Sequence, residues 1–192
     1  MSARILLAIV FMVFLCHCRN APTDAGTPHA QKPKDTTVFY PINSYIREQL
    51  TSLNQATTTP YQIVENENGK NDSSAISKEN IQAYAHRLLL DSINAPGLQE
   101  KYTENIFLDQ STASFTFSYT TIDTSLPVQS VLVLLDTTTQ EVKDIIYTIN
   151  RTYPDSAVLE KWWWKNNKGF TILKSVVFPD GQEKKQQIKV VW

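Results

Sequence analysis

Apolar residues in the first half of the chain recur at spacings of three and four, the period of a helix with one buried side. One such segment runs from Pro41 to Leu53, and its proline suits the first helical turn. A second begins at Ser77, a good N-cap residue, and is stopped by Pro96 and Gly97. The residues on the predicted buried sides are Ile42, Tyr45, Ile46, Gln49, Leu50 and Leu53, then Ile81, Tyr84, Ala85, Leu88, Leu89 and Ile93. This pattern predicts two amphipathic helices.

From Ile106 onward the period changes to two, the repeat of a strand with one buried face. Six segments fit strands, namely 115–119, 131–135, 142–152, 158–165, 170–178 and 185–192. Their connectors are too short for parallel crossovers, so we predict an antiparallel meander. Residues 61–67 fit a further short strand, an Asn68–Gly69 turn leads toward an edge segment near 74–76, and 98–105 fit a short helical turn.

These elements predict an α+β domain over residues 38–192. We expect two N-terminal amphipathic helices packed on a curved antiparallel sheet of about six meandering strands. Residues 38–192 contain no cysteine. The domain is long enough to bury a core without a disulfide or a metal, so its stability has to come from packing.

The N-terminal segment predicts export. Arg4 supplies a positive charge, and residues 5–16 are continuously apolar, which is too short to span a membrane but typical of a signal peptide. Residues 19–37 hold three prolines and few apolar side chains, a composition that predicts a disordered tether. The expected organisation is a signal peptide at 1–17, a lipidated cysteine with its tether at 18–37, and a single domain at 38–192.

The residues around the two cysteines resemble the lipobox of bacterial lipoproteins, in which a leucine and two small residues precede an acylated cysteine. The segment Leu15–Cys18 has the leucine in place, while His17 departs from the small residue of that pattern. The alternative segment, Val13–Cys16, has bulky residues at both small positions and fits less well.

This resemblance implies a lipid at Cys18, with Cys16 as the alternative, and a membrane of the bacterial cell envelope as the first partner. Arg19, directly after the cysteine, favours the outer membrane over the inner one by resemblance to lipoprotein sorting patterns. The resemblance covers about the first 18 residues and carries no information about the domain that follows.

Composition and spacing argue against several classes of chemistry. The chain has 18 basic and 19 acidic residues, so no strong field attracts nucleic acid. His86 is the one histidine of the domain and points away from the apolar stripe, and no histidine–cysteine cluster could hold a transition metal. The five glycines are too far apart for a phosphate-binding loop. We therefore expect no metal, no cofactor and no nucleic-acid partner.

Three consecutive tryptophans, Trp162, Trp163 and Trp164, are the candidate ligand-binding residues. On a strand, Trp162 and Trp164 share one face, and Trp163 shares the other with Lys161 and Lys165. One interpretation is that all three serve packing, with Trp163 covered by a loop or a lysine stem. The other is that Trp163 forms an aromatic platform for a sugar ring or a partner, and that Trp162 or Trp164 lines an open face of the sheet.

The leading functional hypothesis is a non-enzymatic envelope lipoprotein that binds a small ligand or a partner, either an envelope protein or a glycan. The alternative is a hydrolase of envelope carbohydrate or lipid that uses a pair of carboxylates. Its candidate acids are Asp109, Asp123, Asp136 and Asp144. A third hypothesis is an assembly subunit whose exposed edge strand adds to another protein's sheet.

Overall fold

The structure, a computed structural model, describes residues 38–67, 69 and 71–192. The predicted signal peptide (1–17), the tether (18–37) and the candidate acylation sites Cys16 and Cys18 lie outside the described residues, as does Asn68 of the predicted tight turn.

Two helices, one 3-10 helix and nine strands are found in the described part of the chain. The helices are α1 (Ile42–Gln55) and α2 (Lys78–Leu90), and the 3-10 helix is Gln99–Lys101. The strands are β1 (Tyr61–Asn66), β2 (Asn71–Ala75), β3 (Thr103–Asp109), β4 (Ser114–Thr120), β5 (Val128–Asp136), β6 (Val142–Tyr153), β7 (Ser156–Lys165), β8 (Gly169–Val177) and β9 (Glu183–Val191). Ser77 is the N-cap of α2, as predicted, and its hydroxyl accepts a hydrogen bond from Asn80 N at 3.2 Å.

The nine strands form one antiparallel sheet in the order β2-β1-β9-β8-β7-β6-β5-β4-β3. Strands β3 to β9 follow one another as a meander, which confirms the predicted antiparallel pairing. The sheet then continues from the last strand to the first, because β1 pairs with β9 from Tyr61–Val191 to Asn66–Gln186. Strand β2 lies beyond β1, so β2 and β3 are the two edges of the sheet.

The predicted arrangement of two N-terminal helices followed by about six strands is wrong. The sheet has nine strands, and β1 and β2 lie between the two helices in the chain. The helical turn expected at 98–105 is confined to Gln99–Lys101, because β3 begins at Thr103. The residues of β2 are all exposed and those of β3 mostly so. Neither edge strand therefore shows the alternation that one buried face imposes on a sequence.

Both helices share a hydrophobic core with one face of the sheet. We call the face that carries Trp162 the inner face and the face that carries Trp163 the outer face. The ring of Tyr84 on α2 lies 6.4 Å from the Trp162 ring and 5.7 Å from the Phe170 ring, measured between centroids. The buried core includes Ile42, Ile46, Ile81, Leu88, Ile145, Tyr147, Trp162, Trp164, Phe170 and Ile172. The helices thus cover the part of the inner face that these core residues form.

Candidate functional site

The three tryptophans alternate between the two faces of the sheet, as their strand position predicts. Trp162 and Trp164 are fully buried on the inner face, whereas Trp163 is 43% exposed on the outer face. Trp162 and Trp164 each pack on Phe170 with ring centroids 5.5 Å apart. These two residues are therefore part of the core in this structure, and Trp163 is the member of the triplet that a ligand can reach.

Trp163 is held in a fixed orientation by two neighbours on the outer face. Its indole Nε1 donates a hydrogen bond to Asp144 Oδ1 at 2.7 Å, from the adjacent strand β6. The Lys165 ammonium lies 4.6 Å from the ring centroid, within cation–π distance. Both contacts follow from sheet geometry, because Asp144 pairs with Lys165 across the two strands and Trp163 is two residues from Lys165. The result is an exposed aromatic side chain with little rotational freedom to lose on binding.

Other exposed apolar side chains lie on the same face of the sheet as Trp163. The strand registers place five further large residues there, all partly exposed, namely Tyr61, Phe107, Leu159, Leu173 and Val177. Both helices pack against the inner face, so the exposed residues of the outer face have no cover from α1 or α2. Leu159, Leu173 and Val177 lie on β7 and β8 with Trp163, whereas Tyr61 and Phe107 lie three and four strands away. Exposed apolar surface without cover is typical of interaction sites in soluble domains.

A groove of about 570 Å³ lies on this face beside Trp163. Leu159 and Leu173 line it, and the end of the β1–β2 hairpin forms one side. The Glu67 carboxylate accepts a hydrogen bond from Lys185 N at 2.8 Å, which fixes that side of the groove against β9. Lys161 also lines the groove and is two residues from Trp163 on β7, so the Lys161 side chain lies between the groove and the tryptophan.

A buried carboxylate lies on the inner face, near the C-terminal end of α2. Glu160 is 2% exposed and accepts hydrogen bonds from Arg87 Nη2, at 2.8 and 3.1 Å, and from Trp162 Nε1 at 3.0 Å. Arg151 Nη1 lies 3.6 Å from Glu160 Oε2, and Arg151 also pairs with Asp91. This network, which the sequence reasoning missed, joins α2 to strands β6 and β7.

Asp91 and Glu160 both line a cleft of about 430 Å³, together with Arg87, Arg151 and Lys174. Two acids in one cleft would suit the hydrolase hypothesis. Both carboxylate oxygens of Glu160, however, already accept hydrogen bonds from the N–H groups of Arg87 and Trp162, and Asp91 forms an ion pair with Arg151. A general acid or base needs an oxygen that can exchange its proton with a substrate. The contacts favour a link between helix and sheet over an acid–base pair.

Of the four aspartates singled out in the sequence, Asp136 and Asp144 line one cleft of about 480 Å³, but each already accepts hydrogen bonds. Hydrogen bonds from serine hydroxyls in their own turns lower the pKa of Asp109 and of Asp123, and backbone N–H groups do the same for the pKa of Asp136. Asp123 lies in the β4–β5 connection, at the opposite end of the meander from Asp109 and Asp136. Asp144 accepts a hydrogen bond from the indole N–H of Trp163. These acids shape turns and orient a side chain, and the hydrolase alternative stays a prediction.

The remaining chemistry of the described residues is sparse. His86 is exposed on α2, as its position outside the apolar stripe predicted. Across residues 38–67, 69 and 71–192, no three histidine, cysteine, aspartate or glutamate side chains lie together in a way that could hold a metal ion. Neither helix of this part of the chain has the length and apolar character needed to cross a membrane.

Comparisons with known proteins give no relative: no family model, no curated protein and no solved structure matches this chain.

Proposed function

We propose that this chain is a lipoprotein of the bacterial cell envelope, anchored through Cys18, whose folded domain binds a partner through the outer face of its sheet. The observation that carries the binding role is the exposure of Trp163, with Leu159, Leu173 and Val177 of the same two strands, on the face that the two helices leave uncovered. The anchor rests on the resemblance of Leu15–Cys18 to a lipobox.

The environment of Trp163 suits an anchoring residue in an interface. Tryptophan is enriched among the few residues that carry most of the binding free energy, and rigid side chains lose less entropy on association. The hydrogen bond to Asp144 and the ammonium of Lys165 supply that rigidity before a partner arrives. Leu159 and Leu173 extend the apolar surface toward the groove.

Of the two expected partner classes, the surface favours a protein over a glycan. A sugar ring needs a free aromatic face with polar groups around it, and one face of the Trp163 ring is already occupied by Lys165. The other exposed residues include the aliphatic side chains of Leu159, Leu173 and Val177, which offer a sugar no hydrogen bonds. A mixed aromatic and aliphatic patch with lysines around it resembles the centre of a protein interface.

The binding role can be tested with a photo-crosslinking residue in place of Lys161, beside Trp163, in the full chain in its own bacterial envelope. We expect a discrete adduct that is absent when the crosslinker replaces His86 on α2. Trp163→Ala should weaken adduct formation by about tenfold or more, as the loss of an anchoring tryptophan does. The matched control Leu90→Ala, at an exposed apolar residue outside the outer face, should leave it unchanged.

The identity of the adduct then decides the partner class. A polypeptide adduct supports the protein partner, and a saccharide adduct assigns the site to a glycan. Equal crosslinking from positions 161 and 86 would contradict binding at the outer face. An adduct whose yield is the same in the wild type and in Trp163→Ala would contradict it as well.

The anchor has a separate test in intact mass and membrane fractionation. The wild-type chain should lose residues 1–17, gain acyl mass and sediment with membranes, whereas Cys18→Ala should do none of these. Cys16→Ala is the matched control and should behave like the wild type. A chain that is acylated after Cys18→Ala but not after Cys16→Ala would move the anchor to Cys16.

A further inference from the structure

The edge strand β3 carries an exposed apolar segment without charge. Ile106, Phe107 and Leu108 are 54%, 44% and 51% exposed, and no charged residue lies between Asn105 and Leu108. Edge strands in soluble proteins are usually protected from pairing by charges, prolines or bulges. The opposite edge, β2, is short and entirely polar except for its terminal Ala75. The two edges of this sheet therefore differ in their suitability for pairing.

The apolar surface extends from the edge onto the neighbouring strand. Ile106 and Leu108 lie on the inner face, where they pair with Phe117 and Phe115 of β4, respectively. Phe115 is itself exposed, which shows that this end of the inner face lies beyond the cover given by the helices. Phe107 lies on the outer face, opposite Thr116. Both faces of the sheet are thus apolar at the β3 edge.

We propose that β3 pairs with β3 of a second copy of this chain, in antiparallel orientation about Phe107. The two nine-stranded sheets then join into one continuous sheet, with a twofold axis between the copies. In this register Phe107 faces Phe107 of the second copy, Ile106 faces Leu108, and Asn105 faces Asp109. The proposal goes beyond the binding role of the outer face and does not depend on it.

The residue pattern of β3 favours a second copy as the occupant. The register about Phe107 places every apolar side chain opposite another apolar one, and an aromatic cross-strand pair at the centre is a favourable combination. It also places Asp109 opposite an uncharged Asn105. A parallel arrangement in register would instead set Asp109 against Asp109, and like charges directly opposite are destabilising. The strand is self-complementary in the way that a twofold interface requires.

The exposed side-chain area at the β3 edge limits how tightly two copies can bind each other. The side chains at this edge, Ile106, Phe107, Leu108 and Phe115, are between 39% and 54% exposed. A fully buried aromatic side chain covers on the order of 150–250 Å², and an aliphatic one somewhat less. Two copies would then bury about 800 Å² of side-chain surface, below the roughly 1,200–2,000 Å² of a stable complex. The backbone hydrogen bonds of the joined strands add to this. We expect a weak dimer that forms when the local concentration is high, as on a shared membrane.

Disulfide trapping in the full chain tests the pairing. The wild type has two cysteines, Cys16 and Cys18, so it serves as the blank. With the chain in a bacterial envelope, oxidation of Phe107→Cys should give a disulfide-linked dimer on a non-reducing gel. Ser73→Cys, at an exposed residue of the other edge strand, should give none above the wild-type level.

The register makes a second, sharper prediction. Ile106→Cys alone should give little dimer, because Ile106 and its equivalent are diagonal neighbours about 7–8 Å apart. Expressing Ile106→Cys together with Leu108→Cys should restore the crosslink at a level near that of Phe107→Cys. Each of these side chains is about half exposed and none belongs to the buried core, so the substitutions leave the core intact.

Three outcomes would overturn the proposal. The first is that Phe107→Cys gives no more dimer than Ser73→Cys. The second is that every cysteine position gives the same amount of dimer, which indicates random collision. The third is a Phe107→Cys product with the mass of a complex with a different protein, which would place a foreign strand at this edge.

Discussion

Glu160 is the charged residue on which the packing of α2 against the sheet depends most. Its carboxylate is buried and receives hydrogen bonds from Arg87 and Trp162, with Arg151 close by. Removing one partner from a buried ionic network leaves the others without compensation, and the cost is larger than the net contribution of the intact pair. Arg87 is half exposed and can be solvated again, whereas Arg151 is mostly buried.

We therefore predict that Glu160→Ala lowers the free energy of unfolding by about 3 kcal/mol, at the lower end for a broken buried ion pair. Urea unfolding followed by tryptophan fluorescence measures it. The matched control is Glu183→Ala, which removes an exposed ion pair with Lys185 at 3.0 Å and a hydrogen bond from the Ser175 hydroxyl at 2.7 Å, and should shift the unfolding midpoint far less. Similar losses in the two variants would show that the Glu160 network contributes no more than a surface pair.

Individual residues of the site were predictable to different extents. The positions of the tryptophans followed from strand alternation alone, because Trp162 and Trp164 have to share a face. The same parity puts Glu160 on the inner face, and a charged residue at an apolar position indicates a buried ion pair. The partner was beyond sequence reasoning, since Arg87 is 73 positions away and meets Glu160 only when α2 packs on β7.

At the scale of elements, the β7–β8 hairpin depends on one glycine. Gly169 has φ of +118°, which L side chains rarely adopt, and a Cβ there would lie 2.0 Å from the backbone oxygen of Val190 on β9. Gly181, in the β8–β9 turn, also has a positive φ of +83° but has no atom within 4 Å of such a Cβ. Substituting alanine at each of the two glycines therefore distinguishes the cost of backbone strain alone from the cost of strain plus a clash with a neighbouring strand.

Gly169→Ala should destabilise the protein by about 3 kcal/mol or more, because strain and the displacement of β9 both contribute. Gly181→Ala should cost about 1 kcal/mol, from strain alone. Urea denaturation of the two variants measures the difference. Equal losses would show that β9 moves away from position 169 without cost.

Sequence patterns predicted elements best where one face of an element is buried. Both helices and the strands from β4 to β9 have such a face, and glycine-containing turns such as Asn166–Gly169 joined them as expected. The failures were at the edges of the sheet. In β3 the run Ile106–Leu108 does not alternate, because neither face selects for polar or apolar residues there. The β1–β9 pairing joins the two ends of the domain, which no local pattern encodes.

For the whole molecule, the buried tyrosines make stability depend on alkaline pH. Burial raises the pKa of Tyr147, Tyr119 and Tyr45, and burial with the nearby Asp91 and Asp123 raises the pKa of Tyr102 to about 12. In the unfolded chain these tyrosine side chains ionise with a pKa of about 10. Above that pH the unfolded state has lost protons that the folded state keeps, so the free energy of unfolding falls as pH rises.

Tyr147→Phe isolates one such contribution, because Tyr147 is fully buried and phenylalanine keeps its ring. Above about pH 10 the wild type should lose stability more steeply than the variant, by up to one proton or about 1.4 kcal/mol per pH unit. Between about pH 7 and 9 the two slopes should be the same, since no tyrosine ionises in either state there. Urea unfolding across this range measures both slopes. Parallel curves above pH 10 would mean that Tyr147 ionises in the folded protein as readily as in the unfolded chain, which its place in the core between helices and sheet argues against.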